Sequence, residues 1–182
     1  MDTVRLLVEH GADVNVKRND GDTPLHYACE YGHVDTVRLL VELGADVKVK
    51  GNDGDTPLHC ACKSGHVDTV RLLMEHGADV NVKEEDGYTP LHYACEYGHV
   101  DTVRLLVEHG ADVNVKDRNS DTPLHCARRS GHKGIVRLLK KHGADRPEAH
   151  HLSPFNVFLM TLAESLTVHR LALNGGELSQ LR

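Results

Sequence analysis

The sequence predicts an all-α repeat solenoid, a stack of helix-turn-helix units with projecting loops. Two motifs recur along the chain with a fixed spacing of 33 residues. The tetrad Thr-Pro-Leu-His occurs at Thr23–His26, Thr56–His59, Thr89–His92 and Thr122–His125, and the triad Gly-Ala-Asp begins at Gly11, Gly44, Gly77, Gly110 and Gly143. A strict period of this length is the sequence signature of a protein built from stacked repeats.

The unit 53–85 shows how each repeat specifies its first helix. Thr56 is a favourable N-cap, and Pro57 suits the first helical position, where a missing N–H costs nothing. An apolar stripe follows at helical spacing. Gly65 can adopt the left-handed conformation that ends a helix.

The same unit specifies a second helix from about Val67 to Glu75. Asp68 complements the positive N-terminal end of this helix, and Gly77 suits its end. The polar segment that follows carries turn residues and predicts an extended, hairpin-like loop. Two helices of this size cannot bury a core alone, whereas stacked copies can. Across the repeats, we predict helices near 24–31, 34–43, 57–64, 67–76, 90–97, 100–109, 123–130 and 133–142, with no extended central sheet.

The motifs T-P-L-H-x-A, a glycine, and V-x-L-L-x-x-G-A-D-V-N resemble the ankyrin repeat pattern. The resemblance covers roughly residues 1–147. It implies a stack of helix pairs with projecting β-turn loops and a concave, protein-binding face. It also implies that the fixed histidine of the tetrad makes hydrogen bonds that tie neighbouring loops together.

The period divides the chain into a repeat domain, residues 1–147, and a segment that leaves the pattern, residues 148–182. The chain begins in mid-repeat, and the half repeat at this end is expected to fray. The predicted segments are a half repeat 1–19, the full repeats 20–52, 53–85, 86–118 and 119–147, and a linker and tail 148–182.

The fourth full repeat has the character of a C-terminal cap. Lys133 and Lys140 lie seven residues apart on one face of its second helix, where the inner repeats are apolar. Arg128 likewise replaces a cysteine of the inner repeats. Terminal repeats need a polar outer face for solubility. Ser120 replaces the loop glycine, which we interpret as a relaxed constraint at the end of the stack.

The tail predicts a helix over roughly residues 154–173. Ser153 and Pro154 form a strong helix start, and apolar residues follow with near-heptad spacing. Charged residues interrupt it, so a membrane span is not predicted. We expect this helix to fold back on the fourth repeat. The alternative is a mobile helix that becomes ordered only on a partner.

The cysteines indicate a reducing compartment. All five fall at two repeat positions, and we interpret them as buried packing groups. Their odd number, together with a start that shows no signal peptide, favours an intracellular protein, cytoplasmic rather than nuclear. These cysteines are Cys29, Cys60, Cys62, Cys95 and Cys126.

The charge distribution argues against nucleic acid as a partner. Residues 1–116 hold 21 acidic against 11 basic side chains, and residues 117–182 hold 6 against 10. The acidic part does not attract phosphates. The basic end is short and lacks interleaved aromatic residues, so we interpret it as a solvated end.

The sequence carries no signal for catalysis, a cofactor or a metal. It has no phosphate-binding glycine loop, nucleophile elbow or unique carboxylate pair. Most of its 15 histidines follow the repeat period, which spreads them along the stack, and the adjacent pair His150 and His151 is a weak metal signal. The Asp-rich loops lack the twelve-residue oxygen-rich pattern of calcium sites. We therefore predict that the protein is not an enzyme.

The asparagines Asn15, Asn81 and Asn114 lie in Asp-Val-Asn segments at the predicted loop tips. They resemble asparagines that an intracellular hydroxylase modifies in ankyrin repeats, although Lys48 breaks the series. Simple turn chemistry is the alternative interpretation.

The candidate partner-binding residues are those that vary between repeats while the framework stays constant. All five tyrosines of the chain are among them, and tyrosine is enriched at protein interfaces. For Tyr27 and Tyr93, a role as half-buried packing groups is the alternative. The acidic surroundings favour a basic or mixed-charge client. The candidates are Asp22, Tyr27, Tyr31, Asp55, Lys63, Tyr88, Tyr93, Tyr97 and Arg129.

Two functions remain open from the sequence. The first is a monomeric, non-catalytic scaffold that binds a client protein through its concave face and loop tips. The second is an adaptor whose C-terminal helix recruits other machinery. Some ankyrin repeat proteins end in a box that recruits a ubiquitin ligase, but that box normally carries a cysteine, and residues 127–182 contain none.

Overall fold

The computed structural model describes residues 2–144, which form an all-α repeat solenoid of nine helices without strands. Every helix predicted for the repeats is present, begins at the predicted residue and ends within one residue of the prediction. The tail helix predicted near 154–173 lies outside the described residues. The helices are α1 (Asp2–Glu9), α2 (Pro24–Glu30), α3 (Val34–Glu42), α4 (Pro57–Ser64), α5 (Val67–Glu75), α6 (Pro90–Tyr97), α7 (Val100–Glu108), α8 (Pro123–Arg129) and α9 (Lys133–Lys141).

The ends of the first helices follow the predicted capping chemistry. Thr56 is the N-cap of α4 in an extended conformation, Pro57 occupies the first turn, and Gly65 ends the helix in the left-handed conformation, with φ of 78°. The ring of His59 returns to the cap, where its Nδ1 accepts a hydrogen bond from the backbone N–H of Thr56, 3.1 Å away. The same arrangement recurs in α2, α6 and α8.

The helices pack in two layers. The first helices of the repeats, α2, α4, α6 and α8, pack on one another in order, and α1, α3, α5, α7 and α9 form the second layer. The leucine of the tetrad is at most 2% exposed in every repeat. Truncating such a leucine to alanine typically costs about 2–5 kcal/mol, so these positions anchor the stack. No helix within residues 2–144 has the length and apolar content needed to cross a membrane.

A ladder of buried histidines joins each repeat to the next. The Nε2–H groups of His26, His59 and His92 donate to the backbone oxygens of Asp55, Tyr88 and Asp121, at 3.2, 3.2 and 3.3 Å. Because Nδ1 already accepts from the threonine N–H, Nε2 must carry the ring proton. Burial lowers the pKa of His59 to about 4, so this ring is neutral at pH 7. Burial lowers the pKa of His26 and His92 as well.

Further periodic contacts between repeats were not predicted. The rings of His66, His99 and His132 donate from Nε2 to backbone oxygens of the preceding repeat, at 3.0–3.1 Å. On the loop side, Lys17, Lys50 and Lys83 each donate from Nζ to the backbone oxygen of the lysine 33 residues further on. Neighbouring repeats are therefore joined by side-chain hydrogen bonds on two sides of the stack.

The fourth repeat has the predicted polar outer face. Arg128, Lys133 and Lys140 are all exposed, whereas the cysteines at the position of Arg128 in the inner repeats are fully buried. Of the five cysteines predicted to be buried, Cys60 is the exception, because it is only partly buried.

The interpretation of Ser120 as a relaxed position needs correction. Its φ is 66°, the same left-handed conformation that Gly21, Gly54 and Gly87 adopt in the earlier loops. The inner glycines are also crowded by the next loop, since a Cβ on Gly87 would lie 3.1 Å from the backbone nitrogen of Arg118. At Ser120 the backbone constraint therefore persists.

We predict that Ser120→Gly stabilises the protein and that Gly87→Ser destabilises it. A left-handed non-glycine residue costs about 1–2 kcal/mol, part of which is offset because glycine is more flexible when unfolded. We expect a gain of about 0.5 kcal/mol for Ser120→Gly and a loss of about 2 kcal/mol for Gly87→Ser, measured by urea denaturation. Equal effects of opposite sign would show that crowding contributes nothing at Gly87.

We also predict that acid destabilises the fold. Since His26, His59 and His92 have folded-state pKa values below the ordinary 6.5, the unfolded chain binds protons more readily. Their contribution to stability is complete above pH 6.5 and is lost as the pH falls toward 4. Urea midpoints measured between pH 7.5 and 4 should decline through this window. Constant or rising midpoints would contradict neutral, buried rings.

Candidate protein-interaction face

The loops and the first helices together build one face, which we call the loop–helix face. It comprises the loop segments 18–22, 51–55, 84–88 and 117–121 and the outward side of the first helices. Each loop is closed by a backbone hydrogen bond between its first and last residue, 2.8–3.0 Å long. Each loop also bonds to the next one, as in the N–H of Glu85 to the oxygen of Asp53 at 3.0 Å. The face is thus a row of mutually fixed loops.

The residues of this face alternate with a period of two repeats. Tyr27 and Tyr93 alternate with Cys60 and Cys126 at one helix position. At the helix ends, Glu-Tyr in the first and third full repeats alternates with Lys-Ser or Arg-Ser in the second and fourth. A uniform framework therefore carries two alternating kinds of surface. The pairs are Glu30-Tyr31, Lys63-Ser64, Glu96-Tyr97 and Arg129-Ser130.

An aromatic cluster occupies the centre of the face. The rings of Tyr88 and Tyr93 lie 5.2 Å apart, and Tyr88 also contacts His92 at 5.0 Å. Tyr93 meets the edge of the buried His59 ring at 5.9 Å. The ammonium group of Lys63 lies over the Tyr93 ring, 5.8 Å from its centroid. These tyrosines are half-buried, and burial raises the pKa of Tyr88 to about 12.

At the C-terminal side of the face, Arg129 is held by two groups. Its Nη1 donates to Asp121 Oδ2 at 2.6 Å, and its Nη2 donates to the Tyr88 hydroxyl at 3.3 Å. The Tyr88 hydroxyl also lies 3.9 Å from the sulfur of Cys126. Arg129 is thus tied to the framework by charge-assisted hydrogen bonds, which are stronger than neutral ones.

A similar cluster lies at the N-terminal side. Arg18 Nη1 donates to the Tyr27 hydroxyl at 2.9 Å, and this hydroxyl donates to Asp20 Oδ2 at 3.0 Å. Arg18 also lies 3.8 Å from the Asp20 carboxylate. The same guanidinium group sits over the Tyr27 ring, 5.9 Å from the centroid. Here, too, a tyrosine and a carboxylate hold an arginine of the chain itself.

Tyr31 and Tyr97 differ from the other tyrosines because they project into solvent. They are 63% and 50% exposed. Each stacks only loosely on a nearby histidine, His33 or His99, with ring centroids 6.2 and 6.5 Å apart. These two rings offer large amphipathic surfaces at the ends of α2 and α6.

Asp55 is the least satisfied group of the face. Its Oδ1 is covered from solvent and has no hydrogen-bond partner within the described part of the chain. Burial, and next to it the charge of Glu84, raise the pKa of Asp55 to about 6. Its side chain is still 28% exposed, so the carboxylate remains reachable from the face. The equivalent Asp22 has its Oδ1 4.0 Å from His26 Nε2.

Two further carboxylates bond to their own loops. Glu84 accepts the backbone N–H groups of Asp86 and Tyr88 at 2.9 and 2.6 Å. Asp117 accepts those of Asn119 and Asp121, both at 2.8 Å. Among residues 2–144, no group of three or more His, Cys, Asp or Glu side chains is arranged to hold a metal ion.

The cysteine thiols near this face are held in the protonated form. All five cysteines are unpaired. Burial raises the pKa of Cys60, the most accessible of them, to about 12. A thiol in this state is a poor nucleophile.

The structure distributes the nine sequence-predicted residues over three places. Asp55, Lys63, Tyr88, Tyr93 and Arg129 meet at the centre and C-terminal side, Asp22 and Tyr27 lie at the N-terminal side, and Tyr31 and Tyr97 project from the helix ends. The sequence reasoning missed Arg18, Asp20 and Asp121. Asp121 could have been found from the sequence, because it occupies the same repeat position as the candidates Asp22 and Asp55.

The chain was compared with known protein families and curated proteins. A family model described as ankyrin repeats (3 copies) matches residues 1–84, 48–117 and 80–150. Dynein axonemal heavy chain 12 of Bos taurus is 52% identical over 33 residues, 18% of this chain and 9% of that protein. Ankyrin repeat and SOCS box protein 14 of Homo sapiens is 48% identical over 33 residues, 18% of this chain and 6% of that protein. The matches thus span under a tenth of either relative and equal one repeat in length.

We predict that Asp55→Asn stabilises the protein at neutral pH. Because the folded-state pKa of Asp55 is about 6, above the ordinary 3.8, its charged form disfavours folding above pH 6, and the penalty shrinks as the pH falls toward 3.8. Discounted for its partial exposure, the gain at pH 7.5 should be about 1 kcal/mol, and it should be smaller at pH 5.

The matched control is Asp53→Asn, which removes an exposed carboxylate from the same loop and should change stability by less than about 0.5 kcal/mol. A loss of stability in Asp55→Asn at pH 7.5 would contradict the unsatisfied state of this carboxylate.

Proposed function

The chain belongs to the ankyrin repeat family, and we propose that it is a non-catalytic scaffold that binds a client protein through its loop–helix face. Ankyrin repeats are generally protein-interaction modules, and the family is typically non-catalytic. The observation that carries the proposal is the position of the variation. Most of the residues that differ between otherwise near-identical repeats lie on this face, while the framework beneath them is fixed.

The chemistry of the varied residues supports a protein partner. The exposed side chains of Tyr31 and Tyr97 supply large contact areas and have few rotatable bonds. Binding therefore costs little side-chain conformational entropy at these two positions. The loops beside them are fixed by backbone hydrogen bonds and by the histidine ladder. A preorganised aromatic surface of this kind loses less entropy on association than a flexible one.

The charge of the face favours a basic or mixed-charge client. Carboxylates line the loop ends, and the basic side chains Lys63 and Arg129 are engaged with tyrosines of the face. Electrostatic complementarity of this kind contributes to specificity and to the association rate. We expect the scaffold to act as a monomer in the cytoplasm, and its unpaired cysteines support a reducing compartment.

An adaptor is the second candidate. It is favoured by the relative whose name includes a SOCS box, although the 33 matched residues have the length of a single repeat. In an adaptor, residues 148–182 would bind a second protein by themselves. Capture by a peptide of these residues, compared with capture by residues 1–147, would separate the adaptor from the simple scaffold.

We predict that Tyr31→Ala combined with Tyr97→Ala weakens client binding without destabilising the fold. Removing two exposed aromatic anchors should reduce affinity about tenfold or more. The measurement is recovery of proteins from a cell extract on the immobilised full chain, quantified by mass spectrometry. Tyr88→Ala is less suitable, because Tyr88 packs against His92, Tyr93 and Arg129 and its loss should also lower the melting temperature.

The matched control is Arg38→Ala combined with Arg104→Ala, two exposed residues with the same 66-residue spacing on the second helices. Proteins lost with the tyrosine variant but retained with the arginine variant support the loop–helix face. If every captured protein were recovered equally by both variants, the proposed face would be wrong.

A further inference from the structure

The loop–helix face already binds arginine at two places. At its N-terminal side, the guanidinium group of Arg18 bonds to the Tyr27 hydroxyl and lies beside Asp20. At its C-terminal side, Arg129 bonds to Asp121 and to the Tyr88 hydroxyl. In both places a tyrosine and a carboxylate supply the partners, and the arginine comes from the chain itself.

The centre of the face keeps one partner from each of these two sites, a tyrosine and a carboxylate, but has no arginine. Tyr93 lies 66 residues after Tyr27, and the residue at the position of Arg18 is Glu84. Asp55 lies 66 residues before Asp121, and the residue at the position of Arg129 is Lys63. The tyrosine and the carboxylate thus recur at a spacing of two repeats, whereas the two arginine positions depart from it and carry Glu84 and Lys63 at the centre.

Lys63 does not replace them. Its ammonium group lies over the Tyr93 ring rather than on a carboxylate. Within residues 2–144, the only basic group in ion-pair distance of Asp55 is the buried His59 ring, 3.9 Å from Oδ1. Nδ1 of that ring already accepts the N–H of Thr56, so it has no proton to offer.

Carboxylates outnumber ammonium groups among the charges that act on Asp55. The ring of His26 lies between Asp22 and the backbone of Asp55, 4.0 Å from the Asp22 carboxylate and 3.2 Å from the Asp55 oxygen. Glu84 adds a third negative charge, which acts on Asp55 and on Tyr93. The imbalance favours a cation from outside, and Tyr93 offers it a flat aromatic surface.

We propose that the centre of the face, between Asp22, Asp55 and Tyr93, is a subsite for an arginine side chain of the client. The inference rests on the proposed scaffold function and specifies the chemistry of its partner. Arginine fits better than lysine, because its planar guanidinium group can stack on a tyrosine while it donates two hydrogen bonds to a carboxylate. At the neighbouring site, Arg129 donates one hydrogen bond to the Asp121 carboxylate and one to the Tyr88 hydroxyl.

The first test selects peptides from a random phage-displayed library on the full chain. The selected peptides should share an arginine, and replacing it with citrulline, its neutral isostere, should weaken binding about tenfold or more. Asp55→Asn in the protein should weaken binding similarly. This variant is expected to be more stable than the parent, so unfolding would not explain the loss.

The second test changes one position in two ways. Lys63→Arg should fill the subsite from within, as Arg129 fills the site at Asp121, and should weaken binding of the selected peptides about tenfold or more. Lys63→Gln removes a competing charge without filling the subsite and should leave binding unchanged or stronger. Weaker binding with both variants, or with neither, would overturn the subsite.

The outcomes separate this inference from the proposed function. Peptides that bind through Tyr31 and Tyr97 but share no arginine, or that ignore Asp55→Asn, would refute the arginine subsite and leave the scaffold standing. Selected peptides that ignore every variant of the loop–helix face would refute both.

Discussion

The hydrogen bonds of three neutral, buried histidines, His26, His59 and His92, are the interaction on which the rest of the structure depends. The ring of His59 accepts a hydrogen bond within its own repeat and donates one to the next, so a single side chain fixes both the start of a helix and the position of the following loop. Both bonds require the uncharged ring with its proton on Nε2. Burial enforces this state because it disfavours the imidazolium ion. Without the ladder, the loops would lose the buried side-chain bonds that help to hold the row of acidic and aromatic groups in register.

The chain separates stability from recognition by using two periods. The framework residues repeat every 33 positions and supply the caps, the buried leucines and the hydrogen bonds between repeats. Several surface positions, such as those of Tyr27 and Tyr93, repeat every 66 positions, and others differ in every repeat. Together they supply a changing pattern of tyrosine, carboxylate and cation. Because the framework is the same under every repeat, a surface residue can change without altering the helix beneath it. The consequences are visible where Lys63 and Arg129, on equivalent positions, reach different partners.

The sequence was sufficient for the helices and, through the ankyrin resemblance, for the tetrad histidine bonds between loops, but not for the other contacts between repeats. An N-cap such as Thr56 and a helix-ending glycine such as Gly65 act on residues only a few positions away. The ends of the helices can therefore be predicted from short stretches of sequence. The bonds from His99 to Lys63 and from Arg129 to Tyr88 join residues 36 and 41 positions apart. They depend on how the repeats are offset in the stack, which no local pattern records. The same limit explains why Ser120 looked unconstrained, since its left-handed backbone is set by the shape of the loop.

The most direct test of this account is the protonation state of His59 in the folded protein. Nuclear magnetic resonance of ¹⁵N-labelled imidazole groups distinguishes the two neutral tautomers and follows their titration. The histidine ladder requires that His59 carries its proton on Nε2 and stays neutral until the pH approaches about 4. A proton on Nδ1, or a transition near the ordinary pKa of 6.5, would contradict it, because the ring could not then hold the loop of the next repeat in the way described.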